Sequence, residues 1–157
     1  MVRTSQRYVP IALFILAALL LGARVLHQTT KSDAPAKSSL VRWHTPKEGL
    51  RLAAATGRPL LFDFTADWCG PCHMLDGEVF QDPAIARAIN ERFIPVRVVD
   101  RQREEGSNPP EVAELQRTYN VRGFPTVVFA ASAGAERQRM EGFRGRAEFE
   151  RIMERAR

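Results

Sequence analysis

Only two cysteines occur in 157 residues, too few for a small scaffold stapled by several disulfides. Ten Gly and ten Pro are likewise too few for a collagen-like or proline-rich disordered chain. Two Cys and three His make a poor zinc set, because His27 and His44 lie in or near a polar N-terminal stretch, away from the cysteines. No internal repeat is present. What remains is a chain with 45% apolar and 26% charged residues, the content of one globular domain with an appendage, held by a core.

Net charge is also missing from most of the molecule. The +5 arises between Met1 and Leu50, where seven Lys or Arg face two acids, whereas Arg51 to Arg157 carries 16 charges of each sign. A charge-balanced body argues against a nucleic-acid partner. The basic excess sits where it could meet anionic lipid.

Val9 to Ala23 form an uncharged apolar run of 15 residues, flanked by Arg3, Arg7 and Arg24. This is an export signal or an anchor. It is short for a membrane span but can lengthen to Leu26 if Arg24 snorkels. Leu21-Gly22-Ala23 puts a large side chain where cleavage wants a small one, which favours an uncleaved anchor over a cleaved signal peptide. Residues 1–27 are therefore expected as an N-terminal apolar helix that attaches the chain to a membrane. Residues 28–39, QTTKSDAPAKSS, read as a flexible tether, and residues 40–157 as the folded domain. The expected location is the inner membrane facing the periplasm, or the periplasm itself if the segment is cleaved. Either space is oxidising.

Along the body, Leu40–His44 reads as a short strand, and Pro46 to Gly57 as a helix with Pro in its first turn and Gly as its stop. Pro59–Thr65 (PLLFDFT) reads as a buried strand. A helix from about Cys69 to Phe80 follows, then one capped by Asp82-Pro83. Phe93–Val99 is the next strand, Asp100–Pro110 a charged loop and Glu111–Tyr119 a helix. Thr126–Ala131 and Gln138–Phe143 form a hairpin, and Arg146–Arg155 closes the chain as an amphipathic helix. Strand and helix alternate first and a hairpin comes last. That order predicts an α/β fold, a mixed central sheet with a parallel and an antiparallel half, flanked by helices.

Both cysteines lie in Trp68-Cys69-Gly70-Pro71-Cys72, between a buried strand and a helix. A first sulfur at a helix N-terminus meets unpaired N–H groups that stabilise thiolate. Cys69 is then expected to be exposed and to attack a substrate disulfide, and Cys72, one turn inside, to resolve the mixed disulfide. Pro71 is tolerated because its position lacks an intrahelical acceptor. A structural disulfide closing so short a loop would stabilise little. Cys69-Gly70-Pro71-Cys72-His73 also matches C-x-x-C-H, the c-type haem attachment pattern. Its position directly after an apolar strand favours thiol chemistry instead.

PLLFDFTADWCGPCHML followed by NVRGFPTVVF resembles the thioredoxin superfamily. The run ADWCGPC with a helix opening at Asp82-Pro83 is more similar to exported members such as the C-terminal domain of DsbD than to cytosolic thioredoxin. The resemblance covers about residues 40–157 and implies a thioredoxin-like fold. It implies Cys69 as nucleophile, Cys72 as resolving cysteine, and Trp68, Gly70, Pro71, Phe124 and Pro125 as substrate-binding, with Pro125 the cis-proline facing the disulfide. Asp63 matches the buried acid that handles the proton of the resolving cysteine. Burial among Leu60, Leu61, Phe62 and Phe64 would raise its pKa towards that of a base; the alternative is a strand acid facing solvent between Phe62 and Phe64.

There are departures from the family pattern. The Lys that partners the buried acid is missing, since Phe93–Val99 offers only Arg97. The Lys common after the second cysteine is His73, which could make the thiolate pH-sensitive. Asp67, Asp76 and Glu78 are expected to add negative charge that opposes thiolate formation.

The function so implied is a thiol–disulfide oxidoreductase, a disulfide reductase or electron carrier, with no cofactor beyond the Cys69–Cys72 pair and no metal. Its clients would be disulfide-containing exported proteins or apocytochrome c. Electrons would come from a membrane donor such as a DsbD-like transporter, because this chain has too few apolar segments to import them. A monomer is expected. The competing readings are a haem or metal carrier using Cys-x-x-Cys-His, and a non-catalytic binding module on the same fold.

Overall fold

Side chains alternate across a strand, so each charged residue in the central strands is assigned to a face by its parity alone. A computed structural model describes residues 39–156. In β1 (Leu60–Ala66) Leu60, Phe62 and Phe64 serve one face of the sheet, and Leu61 the other, with Asp63 next to it in phase. β2 (Ile94–Asp100) lies parallel to β1, pairing Leu60 with Ile94 and Asp63 with Arg97. β3 (Thr126–Ala130) runs antiparallel on the other side of β1, and β4 (Glu136–Glu141) antiparallel to β3. The order β2-β1-β3-β4 is the expected mixed sheet.

Helices cover both faces. On the first, α1 (Pro46–Thr56) and the later helix α5 (Pro110–Thr118) bring Ala53, Val112 and Leu115 against Phe62, Phe64, Val96 and Val98. On the second, α2 (Gly70–Leu75) continues into a π-helical turn (Asp76–Phe80), and with α3 (Pro83–Arg92) and α6 (Arg146–Arg155) packs on Leu61, Val127 and Phe129. Between them α4 (Gln102–Glu105) is a single turn. Each fully buried Phe or Leu contributes roughly 1.5–3 kcal/mol of transfer free energy, so the aromatic pairs Phe80–Phe149 and Phe93–Phe129 tie three helices to the sheet.

The helix starts follow the sequence signals. Thr45 caps α1 through its hydroxyl, and Gly57, at φ 71°, ends it in the left-handed conformation. Asp82 accepts the N–H groups of Ala84 and Ile85 at the head of α3. Three expectations need correction. Leu40–His44 is not a strand: only His44 bridges to Val96, because Val41 turns into the core instead. β4 covers Glu136–Glu141 rather than Gln138–Phe143, and a shift between Phe129 and Ala130 sets its register. The charged loop after β2 holds α4 and is organised by a buried acid: Asp100 accepts from Asn108 Nδ2 at 2.6 Å and Gln116 Nε2 at 2.8 Å. The expected apolar helix of residues 1–27 and most of the tether lie outside the described residues. Among the described residues no helix is long and apolar enough to cross a membrane.

α1 crosses β2 at Gly49, where an added Cβ would come within 2.2 Å of Val96 Cγ2. Replacing a mid-helix Gly by Ala normally gains about 1 kcal/mol. Here Val96 is fully buried and branched at Cβ, so it cannot swing aside, and overpacking of about 1–3 kcal/mol wins. Gly49→Ala is expected to lower the urea midpoint by an amount equivalent to about 1–2 kcal/mol. A raised midpoint would show that α1 can lift off the strand.

Candidate active site

β1 ends at Ala66 and the chain enters α2 through Asp67, Trp68 and Cys69. Cys69 is the N-cap of α2: its backbone is extended, and its sulfur accepts the N–H of Cys72 at 3.3 Å. Gly70 and Pro71 occupy the first helical positions, exposed to solvent, with nothing within 4 Å of a Cβ added at Gly70. Cys69 and Cys72 are joined as a disulfide with Cα atoms 5.3 Å apart.

The expectation that Cys69 is exposed is corrected. Cys69 and Cys72 are 3% and 5% exposed, so accessibility does not distinguish them in the oxidised form. Phe124 packs against the small cluster formed by Ala66 and the two cysteines, and it meets the half-exposed Trp68 ring edge-on at 6.0 Å. The Phe124–Pro125 peptide is cis, as the family resemblance implies. The carbonyl of Pro125 accepts the N–H of Gly142 at 2.8 Å, which binds the loop before β3 to the end of β4.

Asp63 is buried, not solvent-facing, with 2% of its surface exposed. Parity puts it on the face covered by α2, and the parallel register sets Arg97 directly beside it. Arg97 Nε donates to Asp63 Oδ2 at 3.1 Å, and its Nη2 donates to Asp76. Asp76 lies one helical turn beyond Cys72, on the same side of that helix. The guanidinium also stacks on the Trp43 ring at 4.2 Å. The missing lysine is thus replaced by an arginine shared between two acids. Burial pushes the Asp63 carboxyl up from 3.8 to about 6; Arg97 pulls it back, and Asp76 adds to the rise. Oδ1 of Asp63 is buried with no hydrogen-bond partner among the described residues, which leaves one oxygen able to take a proton.

The expected negative field around the cysteines is corrected for two of its three acids, while Glu78 stays exposed. Asp76 is bound by Arg97, and Asp67 by Arg101 from the start of the loop after β2. The His73 ring meets the Asp67 carbonyl through Nε2 at 2.9 Å. Arg103 lies over the Trp68 ring, 5.2 Å from its centre. Sequence reasoning missed Arg101, Arg103, Trp43 and the pairing role of Arg97. Only Arg97 left a readable signal, the single cation of its strand at the same parity as Asp63. Among the described residues no group of three or more His, Cys, Asp or Glu could hold a metal ion.

Comparison with known proteins agrees with this geometry. The thioredoxin-like domain family matches residues 46–157. The thiol:disulfide interchange protein DsbD of Salmonella typhimurium is 30% identical over 146 residues, covering 88% of this chain and 25% of that protein. The chain therefore spans about a quarter of the length of the curated relatives it matches. Among solved structures, a thioredoxin from Thermus thermophilus is 35% identical with a TM-score of 0.61, covering 73% of this chain and 85% of its own. The oxidised C-terminal domain of Neisseria meningitidis DsbD is 26% identical with a TM-score of 0.55, covering 73% of this chain and 99% of its own.

The Asp63 site makes stability depend on pH. An acid whose pKa rises from 3.8 to about 6 on folding takes up a proton as the chain folds between those values. Its contribution is therefore most favourable below about pH 4 and is lost as pH rises to 6, on the order of 3 kcal/mol in all. Asp63→Asn removes this slope, and Arg97 keeps Asp76 as a counter-ion. In urea unfolding of the oxidised chain, the variant should be more stable than wild type by about 2–3 kcal/mol at pH 7 and about equal to it at pH 4. A variant less stable at both pH values would show that the Asp63–Arg97 hydrogen bond outweighs the desolvation of the charge.

Proposed function

Given that the chain belongs to the thioredoxin-like domain family, we propose that it is a thiol–disulfide oxidoreductase that runs as a reductase on the exported side of a membrane, held there by its N-terminal segment. The observation that carries the reading is the Cys69–Cys72 disulfide at the N-cap of α2, with the Cys69 sulfur taking the Cys72 N–H. The residues after the strand fit this use better than haem attachment, since the His73 ring is turned to the Asp67 carbonyl.

In the proposed cycle the Cys69 thiolate attacks one sulfur of a client disulfide. A Cys69–client bond forms, the client S–S bond breaks, and the leaving thiolate takes a proton from solvent. Cys72 then attacks Cys69 while its proton passes to Oδ1 of Asp63. The Cys69–Cys72 disulfide forms, the Cys69–client bond breaks, and the second client thiolate leaves and takes a proton from solvent. Two electrons have moved from the cysteine pair to the client. The same steps in reverse, with a dithiol donor, restore the pair. Trp68, Gly70 and Pro71 form one wall for the client chain, and Phe124 and Pro125 the other. Both cysteines are buried in the oxidised form, so the site must open for a client to reach Cys69.

The reducing direction is supported by Gly70-Pro71 between the cysteines, the pair found in reducing thioredoxins. In an oxidising space a reductant needs electrons from the other side of the membrane, so the donor is a membrane transporter of the DsbD kind. Misoxidised exported proteins and apocytochrome c are the clients, with the chain acting as a monomer.

Two measurements test this. Cys69→Ser should abolish insulin reduction, whereas Cys72→Ser should accumulate a mixed disulfide on Cys69, since only resolution is lost. Exchanged phenotypes would reverse the two roles. Titration against glutathione or dithiothreitol should give a midpoint more negative than about −200 mV; a value near that of strong oxidants, about −120 mV, would make the chain a disulfide donor instead.

A further inference from the structure

Two of the acids near the disulfide are paired, Asp67 with Arg101 and Asp76 with an Arg97 that it shares with Asp63. Three other arginines on the elements around the disulfide are not. Arg103 lies over the Trp68 face. Arg122 sits in the loop that leads into Phe124 and Pro125, touching only Asn120 Oδ1, at 3.4 Å. Arg144 follows Gly142, whose N–H is bound to the Pro125 carbonyl. Among the described residues no carboxylate lies within ion-pair distance of any of the three, although Glu104 and Glu105 share α4 with Arg103 and Glu141 is taken by Arg139. Arg122 and Arg144 are exposed. From Arg51 onward every Lys or Arg position is an arginine, the cation whose planar fork grips carboxylates in pairs of hydrogen bonds.

We propose that Arg103, Arg122 and Arg144 form a cationic rim around the disulfide that selects partners carrying acidic side chains beside their own reactive cysteines. The inference rests on the thiol–disulfide exchange reading and adds to it the chemistry of the partner. The folded body is charge-balanced as a whole and Glu104 and Glu105 share α4 with Arg103, so the rim acts through three unpaired guanidinium groups rather than a net excess, and such groups steer encounter and orient docking. A partner with acids flanking its disulfide meets the guanidinium groups at the mouth of the site. One with lysines there is repelled before any sulfur contact.

The experiment uses the full chain, reduced, in a neutral detergent, mixed with three cystine-bridged peptides of equal length whose cysteines are flanked by Glu, Ser or Lys. At low ionic strength the second-order rate with the Glu peptide should exceed that with the Ser peptide by about ten-fold, and the Lys peptide should fall below it by a similar factor. Both differences should collapse at 0.5 M salt. In the triple variant Arg103→Gln/Arg122→Gln/Arg144→Gln the Glu-to-Ser ratio should fall towards one. A ratio within one preparation does not depend on how much of the variant is folded. Equal rates for all three peptides would overturn the rim while leaving the oxidoreductase reading intact. No reduction of any peptide would overturn that reading itself. Equal rates together with binding to anionic lipid vesicles would assign the arginines to a membrane surface instead.

Discussion

A carboxylate on the central strand of a sheet with helices on both faces must find a counter-ion or give up its charge, and much of the site follows from how Asp63 meets that constraint. Arg97 comes from the neighbouring parallel strand at the paired position, so no loop has to deliver it. The guanidinium divides itself between Asp63 and Asp76 and lies flat on Trp43. Burial lifts the Asp63 carboxyl and the shared guanidinium only partly offsets it, so its pKa settles at about 6 rather than in the usual carboxylate range. A lysine could not make the same arrangement, because a point charge has no second edge to offer Asp76 and no plane to lay on an indole.

The same strand organises the other side of the site. β2 ends at Asp100, whose carboxylate is held by Asn108 and Gln116. That anchor fixes the start of a loop that would otherwise be free to move, and from it Arg101 reaches Asp67 and Arg103 reaches Trp68. One edge strand thus supplies the counter-ion for the buried acid and the mounting for the groups around the first cysteine. The neutralisation of Asp67 and Asp76 removes the repulsion that their mere presence in the sequence implies.

Much of this was legible in the sequence because the signals were local. The Cys69–Cys72 spacing, the Asp82-Pro83 cap, the apolar run of β1 and the Gly123-Phe124-Pro125-Thr126 turn each declare themselves within a few residues. The pairing of Asp63 with Arg97 needed the register of two strands separated by two helices, which parity suggests but does not determine. Arg101 and Arg103 were opaque for another reason: a charged loop reads as solvated until Asp100 is seen to be buried. Burial of both cysteines was hidden too, since it depends on contacts with residues far away in sequence, Phe124 among those at the cluster. Strand β4 slipped by two residues because its polar, half-exposed sequence carries almost no hydrophobic alternation.

The bridge at His44 has a consequence for how copies of this chain behave towards one another. β2 is an edge strand, and its outer backbone groups would be open to any extended segment. His44 donates its N–H to the Pro95 carbonyl at 2.9 Å and accepts from Arg97 N at 3.1 Å, while Pro95 itself has no N–H to offer. The short stretch before α1 therefore closes the edge of the sheet at the residues that hold the buried ion pair. Fraying of that stretch would open, along the strand that carries Arg97, a template for strand addition between molecules.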